Sequence, residues 1–174
     1  MRIAVLLALG GAVAFATAVG AQLDDRFDRA FAALRAGVAA KAPVQAEGAA
    51  RLLAALGAHA VGTADPVAGW RGREVPVSYR ERLLGPGYLS VALDGGQAFR
   101  LEQAFLAGQR ARVAAFATAP GPFDLTVQDD DGVRRCAAAG GSARCDWVPA
   151  YTSRVAIALE NRDRKRATFF VMLK

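Results

Sequence analysis

Few side chains of this sequence have the types and spacing that catalysis requires. His59 is the only histidine, and it lies in an alanine-rich stretch. A Ser/His/Asp or Cys/His catalytic set would have to be built on that one residue. The sequence contains no Gly-x-Ser-x-Gly, no phosphate-binding glycine loop and no histidine-rich metal pattern. This inventory favours a noncatalytic protein, with a small secreted hydrolase using paired carboxylates as the alternative.

The two cysteines, Cys136 and Cys145, flank a Gly140-Gly141 pair that is typical of a two-residue hairpin loop. Pairing residues outward from that turn places Cys136 opposite Cys145 in a non-hydrogen-bonded pair, where Cα atoms approach to about 4.5 Å. This separation suits a disulfide. A metal site would need more ligands than the two cysteines and the distant His59, and a catalytic redox pair would need closer spacing. The sequence therefore predicts a Cys136–Cys145 disulfide.

An acidic turn, Asp129 to Asp131, precedes Gly132. Clustered carboxylate oxygens can hold Ca²⁺ at about 2.3–2.6 Å. Asp124, Asn161 or Asp163 could add ligands, which gives a candidate calcium site of Asp124, Asp129, Asp131 and Asn161. The alternative interpretation is a solvated acidic turn.

Three aromatic residues, Trp70, Tyr79 and Tyr151, lie outside the clearest strand-core positions. Exposed aromatic rings can bind sugars or polymers, so these three are the candidate ligand-binding residues. The alternative is that each ring belongs to a hydrophobic core.

The elements that must position these residues begin after an apolar leader. Arg2 gives a positive start, Ile3–Ala18 form an apolar stretch, and the small residues Val19-Gly20-Ala21 precede polar Gln22. This order is typical of a signal peptide over residues 1–21, with a retained membrane anchor as the alternative. No second stretch of spanning length follows. We therefore expect a periplasmic or secreted protein without a transmembrane segment after cleavage.

Residues 22–61 have a helical pattern. Phe27, Phe31, Leu34 and Val38 recur at intervals of four, three and four, which places them on one helical face. Lys41-Ala42-Pro43 ends this first helix, and a second is predicted from about Val44 to Ala60. Two short helices bury little surface alone, so they must pack on the downstream domain or on another protein.

Residues 62–87 form a connector rich in proline and glycine, and residues 88–174 follow as a separate domain. Alternation of apolar and polar residues is clear in several segments of that domain, as expected of half-buried strands. The predicted strands cover 89–93, 99–102, 110–117, 123–128, 133–138, 143–148, 154–160 and 167–173. Eight short strands separated by turns predict a mainly β fold, an antiparallel sandwich preceded by two short α-helices.

Three segments of this domain carry a family resemblance. They are Phe105-Leu106-Ala107-Gly108-Gln109, then Phe123-Asp124-Leu125-Thr126-Val127 followed by Asp131-Gly132, and Trp147-Val148-Pro149-Ala150 leading into 155–161. In this order they resemble the bacterial pre-peptidase C-terminal domain over about residues 88–174. The resemblance implies a jelly-roll-like sandwich and a noncatalytic accessory role in targeting, substrate contact or folding. Pro122 stands in place of the first aspartate of the family's Asp-x-Asp-Leu pattern, which weakens any carry-over of metal binding.

The charge distribution bears on the class of partner. The formal net charge is +6, and removal of Arg2 with the leader would lower it to +5. The basic residues are spread along the chain, which argues against a dedicated nucleic-acid groove and favours weak association with anionic envelope surfaces. The expected partner is a protein or a polysaccharide of the envelope. The sequence thus predicts an exported, noncatalytic binding or accessory module, with a calcium-binding module as an alternative.

Overall fold

The computed structural model describes residues 19–71, 85–129, 132–139 and 141–174. Most of the predicted signal peptide, Tyr79, Asp131 and Gly140 lie outside these residues. The described elements are helices α1 (Val19–Val38) and α2 (Pro43–Ala55), a 3-10 turn (Ala68–Trp70), and strands β1 (His59–Ala60), β2 (Gly87–Leu93), β3 (Ala98–Phe105), β4 (Ala111–Ala117), β5 (Phe123–Asp129), β6 (Gly132–Arg135), β7 (Ala137–Ala139), β8 (Ser142–Trp147), β9 (Ser153–Asn161) and β10 (Ala167–Leu173).

The strands form two sheets. One has six strands in the order β1-β2-β10-β4-β8-β7, and the other has four in the order β3-β9-β5-β6. Every described pairing is antiparallel except the short parallel pair of β1 and β2. The predicted jelly-roll-like antiparallel sandwich preceded by two helices is confirmed.

The four-stranded sheet buries one face, as its alternating sequence predicts. In β9, Val155, Ile157 and Leu159 are buried, whereas the residues between them are half-exposed. The buried side chains meet those of the six-stranded sheet, including Val113 and Phe169, to form the core between the sheets.

The central strands β4 and β10 of the six-stranded sheet are buried on both faces. Phe27, Phe31 and Leu34 of α1 pack against Phe116 of β4 and Met172 of β10 on the outer face. Both strands are therefore almost continuously apolar in sequence rather than alternating. The helical pair thus packs on the sandwich and adds a third layer. None of the helices among the described residues combines the length and apolarity that a bilayer-spanning helix needs.

The second helix ends earlier than the sequence predicts. The sequence predicts a helix to about Ala60, whereas α2 ends at Ala55. Gly57 adopts a left-handed conformation (φ 71°), and its N–H donates to the carbonyl of Ala54. Because this conformation ends a helix and favours glycine, the chain turns there and continues into β1 beside β2.

One predicted strand is divided between the two sheets. The segment 133–138 was expected to be continuous, but β6 pairs with β5 in the four-stranded sheet and β7 pairs with β8 in the six-stranded sheet. Cys136 lies between the two strands, and its N–H donates to the carbonyl of Leu125 at 2.9 Å. The chain therefore crosses from one sheet to the other at a cysteine.

Candidate ligand cleft

A shallow, open cleft of about 510 Å³ lies where the helical layer meets the end of β4 and the start of β10. Its walls are the end of α1, the α1–α2 loop and the segment that carries the 3-10 turn. The lining residues that matter chemically are Lys41, Pro66, Trp70, Thr118, Thr168 and Phe170. This size is within the range of small-molecule sites.

Trp70 is held against the backbone of α1. A Cβ atom added at Gly37 would lie 2.3 Å from Cζ3 of Trp70, so glycine is required for this close approach. The N–H of Trp70 donates to the carbonyl of Val67 at 2.9 Å within the 3-10 turn. Both contacts fix the half-buried indole at the cleft.

A partly buried polar triad of Tyr88, Asp65 and Arg71 anchors the segment that carries Trp70. The hydroxyl of Tyr88 donates to Oδ1 of Asp65 at 3.1 Å and accepts from Nη2 of Arg71 at 3.1 Å. Arg71 also forms an ion pair with Oδ2 of Asp65 at 2.9 Å. Burial, followed by the charge of Asp65, raises the pKa of the Tyr88 hydroxyl well above its usual value. The triad joins β2 to both sides of the 3-10 turn.

Several polar groups at the cleft are available to a ligand. Within the described part of the chain, the side chains of Lys41, Thr118 and Thr168 and the indole N–H of Trp70 have no hydrogen-bond partner. A backbone bond of 2.9 Å from the N–H of Thr118 to the carbonyl of Thr168 keeps the two threonines adjacent. None of the described lining residues is acidic, and Lys41 is the charged one. The cleft therefore combines an aromatic ring, hydroxyl groups and one positive charge.

The predicted aromatic residues do not form one platform. Trp70 lies beside Thr118, which follows the last residue of β4, whereas Tyr151 lies in the β8–β9 loop. Trp147 at the end of β8 pairs with Ala111 at the start of β4. Tyr151 and Trp70 are therefore at opposite ends of the sheet, about 20 Å apart. Tyr79 lies outside the described residues.

The three described candidates for calcium binding, Asp124, Asp129 and Asn161, do not surround one point. Asp124 and Asp129 lie at opposite ends of β5, which separates them by about 17 Å. Asp124 forms an ion pair with Arg162 at 2.8 Å, and Asp129 forms one with Arg134 at 3.0 Å. The described residues contain no group of three or more histidine, cysteine or acidic side chains that could hold a metal ion.

Asn161 has a structural role that the sequence did not suggest. Its amide nitrogen donates to the carbonyls of Leu93, Asp94 and Lys165, and its Oδ1 accepts from the N–H of Asp163. The side chain thus braces two neighbouring turns. Calcium binding at the acidic turn stays a prediction that depends on Asp131, outside the described residues. A higher melting temperature in millimolar calcium than in chelator would support it.

The predicted disulfide is confirmed. Cys136 and Cys145 are joined, with their Cα atoms 4.6 Å apart. The pairing of Ala138 with Ala143 and of Ala137 with Arg144 continues outward to the two cysteines, which is the predicted register. Both cysteines are buried between the sheets beside Trp147.

His59, the one histidine, lies in the short strand β1. Its Nδ1 is buried and has no hydrogen-bond partner in the described part of the chain. The residue belongs to β1, which pairs with the start of β2. A general base needs a neighbouring group that orients it, and His59 has none at this atom.

Sequence reasoning identified Trp70 as a binding candidate but missed Lys41, Thr118 and Thr168. Thr118 immediately follows β4, and Thr168 lies at the start of β10. The two are adjacent only because these strands pair. Lys41 belongs to the α1–α2 loop. The position of an aromatic residue outside the strands was thus the only signal in the sequence for this cleft.

No protein-family model and no curated protein sequence matches the chain. Its fold is similar to that of the pre-peptidase C-terminal domain of a Bacillus anthracis collagenase, at 10% identity and a TM-score of 0.45, covering 50% of this chain and 87% of that one. It is also similar to a periplasmic inhibitor of g-type lysozyme from Aeromonas hydrophila, at 10% identity and a TM-score of 0.37, covering 51% and 86%. A de novo designed double-stranded β-helix matches at 16% identity and a TM-score of 0.34, covering 50% and 97%. The first of these structures bears the name of the family that the sequence resembles.

Proposed function

We propose that the protein is an exported, noncatalytic β-sandwich module that binds a carbohydrate chain in the Trp70 cleft. The observation that carries this proposal is the cleft itself. An indole ring, two adjacent hydroxyl groups and an ammonium group meet there, and their polar atoms have no hydrogen-bond partner in the described residues. Such a convergence of polar groups in a concave site is typical of small-molecule binding.

The chemistry of the cleft favours a sugar over other ligands. Sugar rings present C–H faces that pack on an indole, while their hydroxyl groups bond to side chains such as those of Thr118 and Thr168. Lys41 supplies a positive charge, and no described lining residue opposes it. A glycan that carries carboxylates should therefore bind more tightly than a neutral one.

The proposal that the module is noncatalytic rests on the state of its histidine and its two cysteines. The single histidine has a buried Nδ1 without a partner, and both cysteines are joined in a disulfide. A general base needs a group that orients it, and a disulfide sulfur is not a free thiolate, so both observations favour a noncatalytic module. Bound glycan should therefore be recovered uncleaved.

Export is supported by the leader pattern of residues 1–21 and by the disulfide. Structural disulfides form and persist in oxidising compartments such as the bacterial periplasm and the extracellular space. The proposed location is therefore the periplasm or the exterior of the cell.

The test is a titration of the exported protein with oligosaccharides, followed by calorimetry. Oligomers of galacturonic acid and of N-acetylglucosamine supply an acidic and a neutral probe. We expect binding that Trp70→Ala abolishes and that Lys41→Gln weakens for the acidic probe only. Thr118→Val with Thr168→Val, which keeps the shape of both side chains, should weaken both probes.

Tyr151→Ala is the matched control, because Tyr151 is an exposed aromatic residue at the opposite end of the sheet. It should bind both probes as the wild type does. Equal binding by Trp70→Ala and the wild type, or cleavage of either oligomer, would contradict the proposal.

A further inference from the structure

The end of the sandwich opposite the cleft carries an exposed apolar patch. Leu106 in the β3–β4 loop is 53% exposed, and Val148 and Tyr151 in the β8–β9 loop are 61% and 78% exposed. These are three of the five large apolar side chains that are exposed in the described part of the chain. Single exposed apolar residues are common, but clustering of this kind marks an interaction surface. We call these three residues the loop-end patch.

The two loops form one structure. The N–H of Gly108 donates to the carbonyl of Pro149 at 2.9 Å, and the N–H of Ala107 donates to Oγ1 of Thr152 at 3.0 Å. Behind them, Phe105 and Trp147 make an edge-to-face contact with ring centroids 5.0 Å apart. The apolar tips are therefore held by a rigid base.

The two loops carry no charged side chain of their own, and Asp129, which lies beside Tyr151, is paired with Arg134 at 3.0 Å. Residues 106–109 and 147–153 contain no charged side chain, and each stretch is followed directly by an arginine, Arg110 and Arg154. Both arginines are largely exposed, at 48% and 82% of their side chains. Arg110 forms an ion pair with Asp146 at 3.5 Å, and Arg154 forms one with Glu102 at 3.8 Å.

Further positive charge lies at the same end. Lys174 and Arg112 exchange backbone hydrogen bonds across the start of β4. The pKa of the Lys174 ammonium group is lowered by burial and then by the charges of Arg26 and Arg112. Asp28 and Asp146 neutralise part of this charge through their ion pairs with Arg112.

Helix α1 begins at this end of the sandwich. Asp28 lies beside Arg112 near the start of β4, whereas Gly37 lies beside Trp70 at the cleft. The N-terminal turns of α1 are therefore on the side of the loop-end patch. The apolar stretch Ile3–Ala18 precedes α1 in the sequence.

We propose that the loop-end patch docks the protein on an anionic phospholipid bilayer, with Leu106, Val148 and Tyr151 entering the interface and Arg110 and Arg154 contacting the headgroups. The apolar and aromatic tips can enter the acyl-chain boundary, while the arginines behind them lie at the level of the anionic headgroups. Such binding is peripheral and reversible, because three side chains bury little area. The Trp70 cleft then points away from the bilayer.

The test is sedimentation of the exported protein with vesicles. One set is phosphatidylcholine alone, and the other is phosphatidylcholine and phosphatidylglycerol in equal parts. We expect sedimentation with the anionic set, weakened by added salt. Val148→Ser with Tyr151→Ser should lower the partition coefficient about tenfold. Arg110→Gln and Arg154→Gln should each lower it about fivefold.

Val44→Ser is the matched control, since Val44 is 72% exposed at the start of α2. It should sediment as the wild type does, and thermal melting should find every variant folded. Absence of sedimentation, or equal sedimentation of the wild type and the Val148/Tyr151 variant, would overturn the proposal. The proposal would also be overturned if the wild type did not bind vesicles but self-associated, and if the Val148/Tyr151 variant lost that self-association. The patch would then bind a second copy of the chain.

Discussion

At the scale of single residues, the contact between Gly37 and Trp70 determines the shape of the cleft. A methyl group at Gly37 would overlap the indole ring, with the nearest ring atom 2.3 Å away. The ring cannot move towards α1, so it would have to turn into the cleft. The absence of a side chain at one position of α1 therefore shapes a site whose other groups lie on loops and strand ends.

Gly37→Ala should displace the indole and lower stability by about 1–3 kcal/mol. Glycan binding should fall along with it, since the ring would occupy part of the ligand's volume. Chemical denaturation and the tryptophan emission maximum measure the two effects. Gly48→Ala in α2 is the control, because nothing lies within 4 Å of the added methyl group and stability should rise by up to about 1 kcal/mol. A Gly37→Ala protein as stable as the wild type would contradict this account.

Tyr88 should make stability depend on pH in alkaline solution. Its pKa is raised in the folded protein, chiefly by burial, so the unfolded chain loses the hydroxyl proton first. The stabilisation is complete below about pH 10, the ordinary tyrosine pKa, and falls by at most about 1.4 kcal/mol per pH unit above it. Denaturation at pH 8 and pH 11 measures the fall.

Tyr88→Phe should flatten this alkaline fall. It should also reduce stability at pH 8 by about 1 kcal/mol, because the bonds to Asp65 and Arg71 are lost while their ion pair remains. Tyr151→Phe is the control, since that hydroxyl is exposed. Identical pH profiles for Tyr88→Phe and the wild type would show that other groups cause the fall.

The individual residues show where prediction from sequence succeeds. The disulfide was predictable because its register depends on a short hairpin counted from neighbouring residues. The cleft was predictable only through Trp70, because Thr118 and Thr168 are fifty positions apart and meet through strand pairing. The bracing role of Asn161 could not be predicted, because two of the carbonyls that accept from its amide, those of Leu93 and Asp94, are distant in sequence.

At the scale of elements, the alternation of apolar and polar residues predicts a strand well when one face of the strand is exposed to solvent. The strands β3, β5 and β9 alternate because one face of their sheet meets solvent. The apolar runs of β4 and β10 indicate strands but cannot say what covers the outer face. Helix α1 covers this outer face, and it lies more than seventy residues before β4 in the chain. The sequence pattern therefore left open whether α1 packs on the sandwich or on another protein.

The position of α1 depends on a cluster of ions as well as on its apolar face. The Arg112 side chain is 8% exposed and contacts Asp28 at 3.0 Å and Asp146 at 2.6 Å. It also lies over the ring of Phe27, 4.6 Å from its centroid. Arg144 makes a second ion pair with Asp28 at 2.5 Å. The cluster links α1 to β4 and β8.

Arg112→Ala should loosen α1 before the sandwich unfolds. Asp28 and Asp146 are partly exposed and keep other arginines, so we expect a loss of about 2–3 kcal/mol, below that of a fully buried pair. Hydrogen exchange should accelerate in α1 more than in β9. Arg154→Ala, at an exposed pair, is the control and should cost less than about 1 kcal/mol. Uniform acceleration through both sheets would show that α1 does not open separately.

At the scale of the whole molecule, the two proposed surfaces lie at opposite ends of one sheet. The strand β4 runs from the loop-end patch to the cleft, and α1 spans the same length on the outer face. A module docked on a membrane through its loops would therefore present its cleft to a polymer beyond the surface. The two proposals rest on different residues and are tested separately.

The disulfide also acts at this scale, because it lies where the chain passes between the two sheets. Cys136 follows β6 of one sheet, and Cys145 belongs to β8 of the other. The bond closes a short loop, so its contribution to stability should be about 2–3 kcal/mol in the chain-entropy model. The remaining core is extensive and does not include the bond, so the fold should survive its loss.

Replacing both cysteines should therefore lower stability without unfolding the protein. We expect a loss of about 2–3 kcal/mol for the double alanine variant and a larger loss for the double serine variant, because two hydroxyl groups would be buried beside Trp147. The exported wild type should contain no titratable thiol when denatured without reductant. Near-ultraviolet circular dichroism shows whether each variant is folded, and denaturant melts measure its loss of stability. Two free thiols in the wild type would refute the pairing, and complete unfolding of the alanine variant would show that the crosslink, rather than the burial of the two sheets against each other, holds the sandwich together.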